Sequence, residues 1–137
     1  MLLQEKDLNT TDGPWKLLVS CILLNLTSRS KAEPIFDELL EFFPNPESVS
    51  FEDYSALVGM LKKLGLSTVR ASHIIGMSRD YVRAKAKFGE DYKMFPVGKF
   101  RGCGKYAQDS WDVVLLQRLK PFVTDHALIG YIKSRSE

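Results

Sequence analysis

The chain has 137 residues, of which 45% are apolar and 26% are charged. This length is enough for one domain with a hydrophobic core and excludes two domains of ordinary size, so we expect residues 1–137 to form a single globular domain. The formal net charge of +2 is too small to indicate a nucleic-acid partner by itself.

Apolar residues recur at helical spacing along the chain, and no segment alternates as a paired strand does, so we expect an all-α fold. The first helix is predicted to begin at Asp12-Gly13-Pro14, because proline is tolerated at the first helical position. Its apolar residues extend around the helix, which indicates that it is largely buried. One face carries Trp15, Leu18, Ile22 and Asn25, with Leu17, Cys21 and Leu24 close by.

Capping patterns mark the next two helices. Residues 30–33 resemble a capping box and predict a second helix from Ser30 to about Phe43, where Pro-Asn-Pro ends it. Residues 50–53 show the same pattern and predict a third helix that stops at Gly65. The apolar residues of this third helix are Phe51, Tyr54, Leu57, Val58 and Leu61.

The second half of the chain is predicted to contain further helices. Ser67 caps a fourth helix that runs to about Ala86, with Gly76 as a weak point inside it. A short helix at residues 96–100 leads into a turn, and its partner runs over residues 105–119. With a last helix after residue 125, these elements predict a compact bundle of six to eight helices.

The turn contains two glycines, Gly102 and Gly104, directly before a helix-compatible run. Such glycines let the backbone turn tightly and bring its N–H groups against an anion such as a phosphate. The sequence lacks the third glycine of a dinucleotide site and the Gly-Lys-Ser/Thr ending of a triphosphate loop. A clamp for a DNA backbone is the remaining interpretation.

Positive charge concentrates around this turn. Between residues 83 and 105 the only acidic residues are Glu90 and Asp91, whereas the basic residues are Arg83, Lys85, Lys87, Lys93, Lys99, Arg101 and Lys105. A solvated, lysine-rich helix end would produce the same pattern, so the charges alone leave both interpretations open.

Cysteine and histidine are too scarce for most metal and disulfide sites. Cys21 and Cys103 are far apart in the sequence, which argues against a disulfide framework, a zinc site or a four-cysteine iron–sulfur cluster. His73 and His126 are the only histidines. The longest apolar run, residues 19–24, is far shorter than the roughly 20 residues of a membrane span. We therefore expect an intracellular protein without a metal cluster.

Residues 102–106 and Asp125 resemble the hairpin and the following aspartate of the helix-hairpin-helix DNA glycosylases, the superfamily that includes endonuclease III. The likeness is strongest to the mismatch-specific thymine and uracil glycosylases, the group of the glycosylase domain of methyl-CpG-binding-domain protein four. It implies two lobes with a cleft between them. Further matches follow in family order over nearly the whole chain, at Pro14-Trp15-Lys16-Leu17-Leu18, Leu24-Asn25-Leu26-Thr27-Ser28, Leu64-Gly65-Leu66 and Arg70-Ala71.

The resemblance implies that Asp125 is the catalytic carboxylate. Cleavage of a base–sugar bond passes through an oxocarbenium-like sugar, which a carboxylate can stabilise while it orients or deprotonates a water molecule. Aspartate is also a common N-cap residue, which is the alternative role of Asp125. Tyr106 stands where lyase members carry a lysine, so a monofunctional enzyme without lyase activity is implied, with Tyr106 in its base pocket. Aromatic packing at a helix start is the alternative for Tyr106.

The same resemblance implies contacts that open the duplex. Leu26 corresponds to a plug that fills the space left by an everted base, although the mismatch-specific relatives have an arginine there. Leu66, after Gly65, resembles the wedge beside the unpaired partner base. Core packing is the alternative for both leucines. Gln4 corresponds to a glutamine that binds the everted pyrimidine, at a longer spacing than in the family.

Phosphate contacts are expected from Arg101 and Lys105, which neighbour Gly102 and Gly104. The motif commonly holds a monovalent cation on hairpin carbonyls, here near Arg101 and Cys103. Otherwise the resemblance implies no organic cofactor and no iron–sulfur cluster.

The function implied is base excision repair by a monomeric DNA glycosylase that removes thymine or uracil opposite guanine in double-stranded DNA. A eukaryotic protein of this kind would be nuclear. Two alternatives stay open from the sequence, a glycosylase for alkylated or oxidised bases and a non-catalytic helix-hairpin-helix DNA-binding module. A helical protein-interaction domain, which would have no affinity for DNA, is a third.

Overall fold

A computed structural model describes Leu8, Thr10 and residues 12–115 of the chain. All regular structure between residues 12 and 115 is helical, which confirms the all-α prediction. The α-helices of this part are α1 (Gly13–Leu24), α2 (Arg29–Phe42), α3 (Tyr54–Leu61), α4 (Ser67–Phe88) and α5 (Lys105–Val114). Short 3-10 turns lie at Pro46–Ser48, Phe51–Asp53, Lys62–Leu64, Tyr92–Met94 and Val97–Lys99.

Some of the predictions lie outside the described residues, namely Gln4, Asp125 and the last helix. The total of six to eight helices and the arrangement in two lobes include that part of the chain, so they stay predictions.

Helix α1 lies at the centre of the fold, and its burial confirms the prediction from its apolar sequence. It is buried along nearly its whole length and packs against α2, α4 and α5. The indole of Trp15 donates a 2.9 Å hydrogen bond to the hydroxyl of Ser78 on α4, which satisfies a polar atom inside the core. Asn25 does not share the buried face, because the helix ends at Leu24 and the next residue is exposed.

Helix α2 begins earlier than its capping pattern predicted. The N–H of Thr27 donates to the carbonyl of Leu24 at 3.2 Å, so the chain leaves α1 through a tight turn and enters α2 at Arg29. The hydroxyl of Ser30 lies 3.3 Å from that of Ser28. The predicted capping box at Ser30 is therefore wrong, and Ser28 is the N-cap residue.

Helix α3 follows the capping pattern at residues 50–53. The Asp53 carboxylate accepts hydrogen bonds from the Ser50 N–H at 2.9 Å and from the Ser50 hydroxyl at 3.1 Å. This element begins as a 3-10 turn and ends at Gly65, whose φ of +74° stops the helix. Leu57 and Leu61 carry its packing, and α3 lies mainly against α4.

Helix α4 is longer and more regular than predicted. Ser67 is its first residue, and the N-cap position belongs to Leu66, so the predicted Ser67 cap is wrong. Gly76 does not interrupt the helix. The absence of a side chain at this residue leaves space for the side chain of Arg101. An added Cβ at residue 76 would lie 2.2 Å from the Cδ of Arg101. The helix ends at Gly89, with φ +60°, beyond the predicted end at Ala86.

An aromatic cluster joins the segment after α4 to α5. The rings of Phe95 and Trp111 stack with centroids 5.6 Å apart, and Tyr92 meets Trp111 edge-on at 5.9 Å. The Trp111 indole donates to the Tyr92 carbonyl at 3.0 Å. These contacts fix both sides of the glycine turn, because the turn lies between Phe95 and Trp111 in the chain.

Candidate functional site

The end of α1 and the beginning of α5 form the two walls of a cleft of about 550 Å³. The first wall consists of Cys21 and residues 24–27 with Arg29, and the second of Gly102 and residues 104–107. The cleft thus brings together several predicted site residues that are distant in sequence: Leu26, Gly102, Gly104, Lys105 and Tyr106.

Leu26 projects from the first wall into solvent. It is 85% exposed and has a φ of +60°, which is rare for a residue with a branched side chain. The alternative of core packing is therefore wrong for Leu26. An exposed leucine in a strained backbone conformation is typical of a residue that is positioned for binding.

Leu66 has the same two properties at a different place. It is 57% exposed with φ +50°, directly before α4. Core packing is wrong for this leucine too. Gly65 and Leu66 lie on the loop between α3 and α4, and among the described residues they do not belong to the lining of the cleft.

Within the turn, glycine is present at residues 102 and 104 for different physical reasons. Gly102 has a φ of +76°, and an added Cβ would lie 2.5 Å from the Cβ of His73 on α4. The fold itself therefore requires glycine at residue 102. Gly104 has a φ of −128°, and no described atom lies within 4 Å of an added Cβ. Its open surface leaves the backbone of the second wall accessible to a bound group.

Two helices begin at this cleft, α2 from the first wall and α5 from the second. In the described chain, the side chain of Ser28, the N-cap residue of α2, makes no capping hydrogen bond, and Gly104, the N-cap residue of α5, has no side chain that could make one. The first N–H groups of a helix have no acceptor within the helix itself, and together with the helix dipole they favour an anion. The cationic side chains of Arg29 and Lys105 are exposed at the same place. None of the described residues that line the cleft is acidic.

Tyr106 lies where both of the roles that its sequence position left open could be met, and its place in the base pocket stays a prediction. Its ring is half-buried and packs against the hydrophobic core, and it also lines the cleft. Cys103 lies inside the turn, where burial raises the pKa of its thiol to about 12, with smaller contributions from Cys21 and Asp80. Neither Cys21 nor Cys103 forms a disulfide bond, and Cys103 is a neutral packing residue at ordinary pH.

Arg101 faces a different part of the surface from Lys105. Its backbone N–H donates to the Asp80 carboxylate at 2.8 Å, and its guanidinium donates to the Ser72 hydroxyl at 3.0 Å. It lines a second, smaller cleft of about 280 Å³ on the outer side of α4. A phosphate contact of Arg101 stays a prediction, and it would form on this side of the turn.

Arg70 binds residues that line the cleft, and the sequence motifs had assigned it no role of its own. It is only 4% exposed, and its guanidinium donates to the carbonyls of Leu64 and Gly65 at 2.9 and 3.0 Å. It also donates to the carbonyl of Asn25 and the hydroxyl of Thr27. Burial lowers the pKa of Arg70, but arginine stays protonated in proteins. The sequence indicated Arg70 only through the Arg70-Ala71 segment, which matches the DNA glycosylases.

The described residues form neither a metal-binding cluster nor a membrane-spanning helix. Within residues 12–115, together with Leu8 and Thr10, no three histidine, cysteine, aspartate or glutamate side chains are grouped closely enough to hold a metal ion. In the same part of the chain, no helix has the length and apolar character of a membrane span.

The chain is similar to known DNA glycosylases. The thymine-DNA glycosylase of Aeropyrum pernix is 30% identical over 88 residues, which cover 62% of this chain and 38% of that protein. The methyl-CpG-binding domain protein 4-like protein of Arabidopsis thaliana is 27% identical over 121 residues, or 86% of this chain and 25% of that protein. The thymine/uracil-DNA glycosylase of Pyrobaculum aerophilum is 30% identical over 81 residues, covering 58% and 35% of the two chains.

A solved structure of a thermostable thymine-DNA glycosylase superposes with a TM-score of 0.67 at 20% identity, over 85% of this chain and 52% of that one. This likeness shows the fold. The chain spans between 25% and 38% of the length of the curated relatives. No protein-family model matches it. The sequence motifs indicated a resemblance to DNA glycosylases, and these relatives confirm it. A methyl-CpG-binding domain protein 4-like protein is among them.

Proposed function

We propose that this chain is a monofunctional DNA glycosylase that hydrolyses the N-glycosidic bond of thymine or uracil mispaired with guanine in double-stranded DNA. The observation that carries the proposal is the cleft, whose one wall carries the exposed Leu26 and whose other wall carries the glycine turn and Tyr106. The names of the curated relatives support thymine and uracil as the bases removed.

The wall formed by the turn and α5 would bind the DNA backbone. Gly104 leaves the main chain open, and the start of α5 offers N–H groups to a phosphate. Lys105 and Arg29 would add positive charge on the two sides of the cleft. Such contacts are independent of sequence and position the duplex for the reaction.

A base must leave the helix before its glycosidic bond can be reached. Eversion costs a few kcal/mol, roughly, which a side chain inserted into the vacated space can offset. Leu26 is suited to this role because it is already exposed and its apolar surface gains from burial between bases. The role of wedge next to the partner base falls to Leu66.

Asp125 would carry the chemistry. As the bond between C1′ and the pyrimidine N1 breaks, the base leaves with the electron pair and positive charge develops on the sugar. A carboxylate beside C1′ stabilises that charge, and it can also accept a proton from the water whose oxygen bonds to C1′. That proton then passes through solvent to the released base, which restores the carboxylate. Tyr106 cannot form a Schiff base, so the product is an abasic site in an intact strand.

This reaction needs no organic cofactor. A monovalent cation would fit the turn, because the turn's own hydrogen bond runs from the Cys103 N–H to the Phe100 carbonyl and uses neither the Arg101 nor the Cys103 carbonyl. Those two carbonyls would hold the cation, which would supply positive charge toward a phosphate. We also propose that the protein acts as a monomer.

The test is a panel of duplexes that each contain one G·T, one G·U or one alkylated or oxidised base, scored for alkali-sensitive breaks. The parent protein is expected to release base from G·T and G·U. Asp125→Asn should keep the affinity for the duplex and lose base release by about a hundredfold or more. The matched control is Asp37→Asn, at an exposed position of α2, which should release base at the parent rate.

The outcomes separate the candidate functions. Equal release by Asp125→Asn and the parent would contradict the catalytic assignment. Salt-dependent duplex binding without any abasic product would identify a DNA-binding module instead. A protein–DNA adduct trapped with borohydride would contradict the absence of lyase activity.

A further inference from the structure

Arg70 joins two loops that are far apart in the chain. The first loop, residues 25–27, follows α1, and the second, residues 64–66, precedes α4. One terminal nitrogen of the guanidinium donates to two carbonyls of the second loop, at 2.9 and 3.0 Å. The other donates to the Asn25 carbonyl and the Thr27 hydroxyl of the first loop. The side chain is buried, at 4% exposure.

Each of these loops carries one of the two exposed leucines. Leu26 lies between the two first-loop residues that Arg70 binds, and Leu66 follows directly after the carbonyls of the second loop. In residues 12–115, these leucines are the only non-glycine residues with positive φ. Such conformations persist only where the surrounding structure holds them, and here the same side chain binds residues next to both leucines.

The geometry requires an arginine. A guanidinium is a planar fork whose two terminal nitrogens can donate in different directions at once, whereas a lysine has one ammonium group on a flexible stem. A lysine at residue 70 could satisfy one loop and leave the other without its donor.

We propose that Arg70 is a positioning residue that fixes the loops at residues 25–27 and 64–66 as one unit, so that Leu26 and Leu66 enter DNA together. The proposal rests on the proposed function, because it concerns how that function everts a base. Its physical basis is that the loops are ordered before DNA binds, so that binding does not have to order them separately.

The first experiment compares two substrates with the same uracil. In one, uracil pairs with guanine in a duplex; in the other it lies in an unpaired bubble, where eversion is no longer needed. Single-turnover base release by Arg70→Met should fall about tenfold or more on the G·U duplex and stay within about twofold of the parent on the bubble. Arg70→Lys should give an intermediate loss, and the control Arg79→Met, at an exposed position of the same helix, should match the parent on both.

A second experiment tests whether the loops act as one unit. In the parent, the combined loss of rate in Leu26→Ala/Leu66→Ala should differ from the product of the two single losses by about threefold or more, because the insertions are coupled. In the Arg70→Met background the losses should multiply. Independent losses in the parent would overturn the proposal.

Other outcomes are equally decisive. A parent that releases no uracil from either substrate refutes the proposed function and not the coupling alone. An active parent whose Arg70→Met variant loses the same factor on both substrates overturns the role of Arg70 in eversion. If Arg70→Met does not fold, as judged by its thermal transition, Arg70→Lys and Thr27→Val make the same comparison. Equal losses on both substrates in those two variants overturn the proposal.

Discussion

The conformations of Leu26 and Leu66 lower the stability of the protein but suit the proposed function. A left-handed conformation costs about 1–2 kcal/mol for a residue with a side chain. Neither leucine recovers this through burial, since both are exposed. Two apolar side chains held in such positions are consistent with a surface that completes its packing only when another molecule is bound.

Packing against Arg101 requires glycine at residue 76. This requirement can be tested by comparing alanine substitutions at Gly76 and at Gly59. Gly76→Ala is expected to lower the free energy of unfolding by about 1–3 kcal/mol, because its Cβ would approach the Cβ, Cγ and Cδ of Arg101 to 2.8, 2.9 and 2.2 Å. Gly59→Ala, with no described atom within 4 Å of the new Cβ, should raise it by up to about 1 kcal/mol. Urea titration of both variants is the measurement, and equal shifts would contradict the packing role.

Among the elements, α2 contains an internal conflict. Pro34 lies inside the helix and cannot donate a hydrogen bond to the carbonyl of Ser30, and its ring crowds that carbonyl. The helix continues because Ile35, Phe36 and Leu39 bury its inner face. Packing therefore outweighs the local preference against helix.

Pro34→Ala should stabilise the protein. The substitution restores a hydrogen bond and removes the crowding, while proline's restriction of the unfolded chain is lost, so we expect a net gain of about 1–2 kcal/mol. The exposed neighbour Glu33→Ala is the control and should change stability by no more than about 0.5 kcal/mol. Urea midpoints measure both, and a lower midpoint for Pro34→Ala would refute the conflict described here.

At the scale of the whole molecule, side-chain contacts join elements that are distant in the sequence. Arg70 ties the end of α1 to the beginning of α4, and Lys85 on α4 pairs with Glu47 at 2.8 Å and with Asp12 at 3.7 Å. The Lys85 interaction is the main reason that the pKa of Glu47 is lowered. These exposed pairs contribute little energy, so the aromatic and aliphatic core carries most of the stability.

His73 links the stability of the molecule to pH, because it packs behind Gly102 of the turn. Burial lowers the pKa of His73, and the charge of Arg101 lowers it further. As the pH falls, His73 therefore takes up a proton in the unfolded chain before it does so in the folded protein. The contribution of His73 to the free energy of unfolding is fully present above about pH 6.5, and it is lost as the pH falls toward the lowered pKa of the folded state. When the pH is lowered from 7.5 to 5.5, the free energy of unfolding should therefore fall less in His73→Gln than in the parent protein.

The measurement is urea unfolding at pH 7.5, 6.5 and 5.5 and constant ionic strength. The difference between parent and His73→Gln isolates this histidine from the carboxylates, which titrate in both proteins. Parallel curves for the two proteins would show that His73 does not contribute.

The positions of the helices follow from local patterns, and this is why so much of the fold was predictable. Periodic apolar residues and glycine or proline boundaries indicated α1, α3, α4 and α5 within a few residues. The errors occurred at helix beginnings, at Ser30 and Ser67. There the turn after α1 and the left-handed Leu66 determined the first residue, and neither is a local propensity.

Sequence alone determined which residue types are available for the site: two turn glycines, Tyr106 after Lys105, and the motifs that resemble DNA glycosylases. Only the tertiary structure decided that Leu26 and Leu66 are exposed, that Arg101 lies against α4, and that Arg70 joins two loops. The physical reason is that exposure and hydrogen-bond partners depend on residues far away in the sequence, 45 positions in the bond from Arg70 to Asn25 and 21 in the bond from Arg101 to Asp80. A linear pattern cannot specify such contacts.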